Sequence, residues 1–98
     1  AAVRITPPSG CSAQSLHRWV QARIAERRGD VDAAEQHYLA AIAEPGDGRA
    51  QQQLDLALLL HKHRPGDPRI RTLAAEAAPE LARQGHAEAA AEATRLAR

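Results

Sequence analysis

Five histidines and a single cysteine are the side chains of this chain best suited to metal binding or nucleophilic catalysis. His61 and His63 are two residues apart, which on a helix separates their directions by about 200°. They therefore do not form the facing pair that ligands on adjacent turns need. His17, His37 and His86 fall in separate helical stretches, with no carboxylate or Cys at ligand spacing, so no metal site is expected. Cys11 follows Pro7-Pro8-Ser9-Gly10, a setting that positions a nucleophile poorly, and no Ser occupies a strand-to-helix elbow. Gly46-Asp47-Gly48 is too short for a phosphate-binding loop and lacks the Lys and hydroxyl that such loops use. The segment is expected to be no enzyme and to need no cofactor, and its lone cysteine cannot form an internal disulfide.

Basic side chains gather at Arg27-Arg28 and at Arg64, Arg69 and Arg71. Arg27, Arg28 and Lys62 can answer the negative ends of helix dipoles or meet an acidic partner. With 13 basic and 12 acidic side chains the net charge is +1, which exerts no general pull on nucleic acid or anionic membrane. Aromatic residues, at 2%, are too few for base-stacking platforms, so nucleic acid is excluded as a partner. No apolar run reaches the length of a membrane span, and Leu54 to Leu60 is interrupted by Asp55, so no membrane insertion is expected. Ser9-Gly10-Cys11 matches only the last positions of a lipoprotein cleavage site, because Arg4, Pro7 and Pro8 stand where its apolar core would be. The compartment stays open, with cytoplasm favoured over periplasm. The missing initial Met is what a mature or excised piece of a longer protein would show.

The elements that hold these residues read as helices. Residues 1–12, with Val3-Arg4-Ile5-Thr6 and then Pro7-Pro8, form an extended leader or linker, and residues 13–98 a helical domain. Ser12 or Ser15 can cap a first helix carrying Leu16, Val20 and Ile24, with Trp19 beside them, that runs to Arg28. Gly29 can end it in the left-handed region while Asp30 caps the next helix. That second helix places Val31, Ala34, Tyr38, Ala41 and Ile42 on one face, Asp32, Glu35, Gln36 and Glu44 on the other, and stops at Pro45-Gly46. Asp47 is the expected cap of a third helix, to about His63, whose apolar residues surround most of its second half, so it is central or meets something else. Asp67-Pro68 opens a fourth helix with the stripe Ile70, Leu73, Ala74, Ala77 and Leu81. Pro79 predicts a kink near Ala75 to Ala78, and Gly85 separates off a fifth helix at 86–97.

Helix, Gly29-Asp30, then a helix with Ala34, Tyr38 and Ala41, closed by Pro45, resembles one tetratricopeptide repeat, a family whose period is about 34 residues. The likeness covers roughly Ser15 to Pro45. Ala22 and Ala25 stand at the small and large packing positions of the family's first helix. Gly85-His86-Ala87-Glu88-Ala89-Ala90 echoes Gly29-Asp30-Val31-Asp32-Ala33-Ala34 at a distance of 56 residues, which is not a multiple of that period. The resemblance implies an all-α fold: a right-handed stack of antiparallel helix pairs, about two repeats over 15–44 and 48–84, with a C-terminal capping helix. In the second pair Leu56, Ala57, Leu60, Ala74 and Ala78 would take the packing positions, without the family's aromatic. A compact five-helix bundle is the competing architecture.

The resemblance further implies a concave side lined by the first helix of each pair. Carried onto this chain, it gives Trp19, Arg23, Glu26 and Arg27, then Gln51, Leu54, Leu58, His61 and Lys62, as partner-binding residues. Such a mixed apolar and basic groove suits a protein or peptide segment with a hydrophobic anchor and acidic flanks. Trp19 could equally be the main filler of an Ala-rich core. The leading expectation is a non-catalytic protein-interaction module of a bacterial assembly, secretion or regulatory system, the bacterial origin resting on Ala and Arg richness. The alternative is a structural helical domain of a larger enzyme or envelope protein, with helix three on an absent neighbour; a small metal- or ligand-binding enzyme stands third. Two helix pairs offer little mutual burial, so a homodimer is physically reasonable.

Overall fold

The computed structural model describes residues 13–44 and 48–98, with side chains from residue 16 onward. The leader at 1–12, the Ser12 cap and the 45–47 turn with its Asp47 cap lie outside them. Five helices follow one another: α1 (Ala13–Arg27), α2 (Val31–Ala43), α3 (Arg49–His63), α4 (Arg69–Arg83) and α5 (Ala87–Leu96). Among the described residues there is no strand, and each helix packs on its neighbours in the chain to form a five-helix bundle. No helix among them is long and apolar enough to cross a membrane.

Two turns are built alike. Gly29 has φ +80° and Gly85 φ +85°, the left-handed region that favours glycine. After α1, the Asp30 N–H donates to the Ala25 carbonyl at 2.9 Å and the Gly29 N–H to the Glu26 carbonyl at 3.0 Å. After α4, His86 and Gly85 repeat the pattern onto Leu81 and Ala82 at 2.9 and 3.1 Å. Both are Schellman caps, and each folds a helix back on its predecessor. The Asp30 carboxylate accepts the Ala33 N–H at 3.1 Å and so caps α2. The Asp67 carboxylate accepts the Arg69 N–H at 2.9 Å, with Pro68 between them in the opening turn of α4. Ser15 lies inside α1 rather than at its start.

The third helix is central, as one of the two sequence readings has it. One side of α3 gives Leu56, Leu59 and Leu60 to a core with Trp19, Ala22, Ala25, Ala34, Tyr38 and Ile70. Its other side gives Ala50 and Leu54 to a second core with Ala77, Leu81, Ala90 and Ala93. Leu56 and Leu59 are buried within the chain, so they do not await an absent neighbour.

Two sequence expectations need correction. The buried face of α1 is Trp19, Ala22 and Ala25, while Ile24 is 40% exposed, because small side chains let α1 approach Tyr38 of α2 closely. Glu35, expected on the outer side of α2, is buried under the segment that joins α3 to α4. Pro79 lies inside α4, which is helical from Arg69 to Arg83 and is closed by Gly85 as expected. Pro79 is exposed, so the Ala75 carbonyl that loses its helical donor can turn to water.

Candidate functional site

Half of the polar residues expected to bind a partner, Arg23, Glu26 and Gln51, converge with Trp19 where α1 approaches α3. The Trp19 indole N–H donates to Asp55 Oδ2 at 2.7 Å, and Gln51 Nε2 donates to Asp55 Oδ1 at 3.2 Å from one turn away. The Arg23 guanidinium lies over the Trp19 ring, 5.7 Å from its centroid, in cation–π contact. Glu26 faces Arg23 at 3.8 Å. Beneath them the Tyr38 hydroxyl rests against the Arg23 guanidinium without full hydrogen-bond geometry.

These contacts set the protonation behaviour of the cluster. Burial raises the Asp55 pKa, an effect the Trp19 and Gln51 hydrogen bonds and the Arg23 charge only partly offset. Burial likewise pushes the Tyr38 phenol up to about 12, against the opposing pull of Arg23. For Arg23 itself burial acts downward, but Tyr38, Asp55 and Glu26 outweigh it and the guanidinium is held above its ordinary value. Asp55 therefore has both oxygens engaged by donors from within the chain, a geometry that serves anchoring better than proton transfer. What the cluster presents outward is Arg23, whose side chain is 44% exposed and braced on two aromatic residues.

A second polar cluster fastens the segment between α3 and α4 to α2. The Glu35 carboxylate accepts from Arg64 Nη1 at 3.2 Å and from Arg69 Nη2 at 2.6 Å, and Arg64 also pairs with Asp32. Arg69 further grips Asp67 at 2.8 Å, which holds the Asp67 carboxyl down at about 2 and raises the Arg69 guanidinium. The arginines of this cluster, dense in the sequence, are largely occupied by acids of the same chain.

The remaining expected residues are distributed as follows. Arg27 is exposed on α1, two turns from Trp19. Leu54 is 2% exposed and belongs to the second core, and Leu58 is half-buried against that core. His61 and Lys62 are exposed at the end of α3. Trp19 is 4% exposed, so it reaches the surface only through the Arg23 stacked on it. Among the described residues no three His, Cys, Asp or Glu side chains come close enough to hold a metal ion.

Sequence reasoning overlooked Asp55 as the centre of this cluster. Its signal was present: a lone carboxylate in the fully apolar half of a central helix must find donors inside the fold. No family model, curated protein or solved structure matches this chain.

Proposed function

We propose that this chain is a non-catalytic protein-interaction module, of the kind met in bacterial assembly, secretion or regulatory systems. On this reading α1–α2 and α3–α4 are successive antiparallel pairs of a right-handed, tetratricopeptide-like stack, and α5 caps its end. The partner is a peptide or helix with acidic flanks, lying along α1 and α3. The observation that carries the reading is the Trp19–Asp55 hydrogen bond, which joins the first helices of the two pairs. Helical spacing then sets Arg23 and Arg27 one and two turns beyond Trp19, and Leu58 and Lys62 one and two turns beyond Asp55. Arg23 is pre-organised on the Trp19 ring, so less freedom is lost when an acidic side chain engages it.

Affinity capture tests this, comparing the native chain with the double variant Arg23→Glu, Lys62→Glu and with the control Arg83→Glu on α4. All three are first checked for folding by circular dichroism. A partner retained by native and control but lost by the double variant, and rebinding when purified, is the expected result. Equal retention by all three would refute the α1–α3 surface.

A second reading, a structural domain packed on the rest of a larger protein, draws on Leu39. This α2 side chain is 39% exposed and borders an apolar groove of about 310 Å³ with Leu73 and Thr72 of α4. Leu39→Lys would abolish self-association if that face is an interface. Leu56 and Leu59 cannot serve such a test, because both are inside the core.

A further inference from the structure

A cleft of about 680 Å³ opens at the opposite end of the α4–α5 hairpin from Gly85, between the end of α3, the start of α4 and the end of α5. Its volume lies in the range of small-molecule sites, about 300–1,000 Å³. Ile70 and Leu96 give it an apolar wall, and Arg71, Arg95 and Arg98 supply positive charge from two separate elements, with His61 at the edge from a third. Asp67 is the one acidic side chain lining it, and that carboxylate is already held by the Arg69 side chain and N–H. Among the described residues neither Arg71 nor Arg98 has an ion-pair partner. Arg95 pairs only with Glu92, at 3.3 Å along the exposed face of α5, and such exposed pairs are worth little. Three cations thus stand beside an apolar wall, Arg95 shared with the solvent-facing Glu92, and the one acidic side chain of the lining is held by Arg69 from outside the cleft.

We propose that this cleft binds a small organic dianion, an apolar group bearing a phosphate or a pair of carboxylates. Arginine is suited to it because its planar fork meets two oxygens at once. The site touches the partner surface proposed above only at His61, and it stands or falls independently of that surface.

Titrating the isotope-labelled full chain with phenyl phosphate, benzoate and inorganic phosphate, followed by amide NMR, provides the test. Phenyl phosphate is expected to shift Gly66, Ile70, Arg71 and Leu96 and to bind about tenfold more tightly than either benzoate or inorganic phosphate, since each of these lacks one half of the recognition. Arg71→Gln and Arg95→Gln together are expected to weaken it by about tenfold or more, whereas Arg83→Gln leaves it unchanged. Both replaced side chains are exposed, and the single variant Arg71→Gln gives the same sign if the double variant fails to fold. Shifts that follow arginines over the whole surface, equal affinities for the three anions, or undiminished binding to the Gln variants would each overturn the proposal.

Discussion

Replacing Asp55 by alanine leaves the Trp19 indole N–H inside the α1–α3 seam with no acceptor. A buried donor without a partner costs about 1–3 kcal/mol, and loss of the Gln51 bond adds to it, while removal of a buried charge subtracts. A net loss of about 2 kcal/mol is expected, which for a domain of this size lowers the melting temperature by about 10 °C. Asp55→Asn behaves differently. The amide keeps an acceptor for Trp19 and can meet Gln51 through its NH₂ group, yet carries no charge to desolvate. The Asn variant is expected to equal or exceed the native chain at pH 7. The sign of the pH dependence follows from burial, which raises the folded-state pKa of Asp55 above its unfolded value. Between the two values the folded chain binds more protons. The stabilisation from this group is thus complete below about 3.9 and is lost as pH rises through the folded value. Urea unfolding of native, Asn and Ala chains from pH 3 to 7 reads all of this. The chain has one Trp, so its single indole N–H resonance also titrates with Asp55 directly. Equal stability of the Ala and Asn variants, or an indole midpoint at or below the ordinary carboxylate range, would refute the reasoning.

Gly29→Ala and Gly85→Ala are each expected to cost about 1 kcal/mol, by equal amounts because the two turns share one geometry and neither added Cβ meets an atom within 4 Å; thermal melts of the two variants check this. Glu35→Ala unties Arg64 and Arg69 at once, and since both arginines can rehydrate, a loss of about 1–2 kcal/mol is expected in urea titrations, smaller at high salt. Asp67 has its pKa depressed to about 2, so its contribution is present above the unfolded carboxylate value and lost as pH falls from about 4 to 2; Asp67→Asn is expected to remove that acid limb. The single Tyr38 is expected to ionise near 12 rather than 10 in an absorbance titration, its stabilisation lost as pH rises through the folded value, and a midpoint near 10 with the chain still folded would contradict its burial.

Local signals carried much of this fold. Gly29, Asp30 and Asp67 act through their own backbones, and the Ile70–Leu81 stripe needs only the helical period, so each was readable without knowledge of its neighbours. The apolar residues around most of α3 allowed either a central helix or one covered by something outside the chain, and only the two cores on its opposite sides decide for the first. Glu35 was misplaced because its burial depends on Arg64 and Arg69, 29 and 34 residues further on, folding back over it. Ile24 was misplaced because α1 offers two adjacent stripes, and packing against Ala34 and Tyr38 of α2 turns Trp19, Ala22 and Ala25 inward, the two alanines as the resemblance has them. Of the expected binding residues, the resemblance to a helical repeat brought Trp19, Arg23 and Gln51 into one list, but not the Asp55 carboxylate that assembles them.

About half of the apolar residues are alanine, and alanine surfaces are poor at specifying register. Sliding α5 along α4 by one turn exchanges Ala90 or Ala93 for another alanine and changes the buried area little. Within a hairpin the Schellman turn removes that ambiguity. Between elements not joined by such a turn something else must do so, and buried or part-buried polar groups lie there. Trp19 to Asp55 joins α1 to α3, Glu35 with Arg64 and Arg69 joins α2 to the start of α4, and Gln53 to Glu76 at 3.0 Å locks α3 on α4. A buried carboxylate adds little net stability, and its better attested use is to select one alignment among several. On that argument the desolvated Asp55 holds α1 and α3 in a single register, which the proposed surface along those two helices would need.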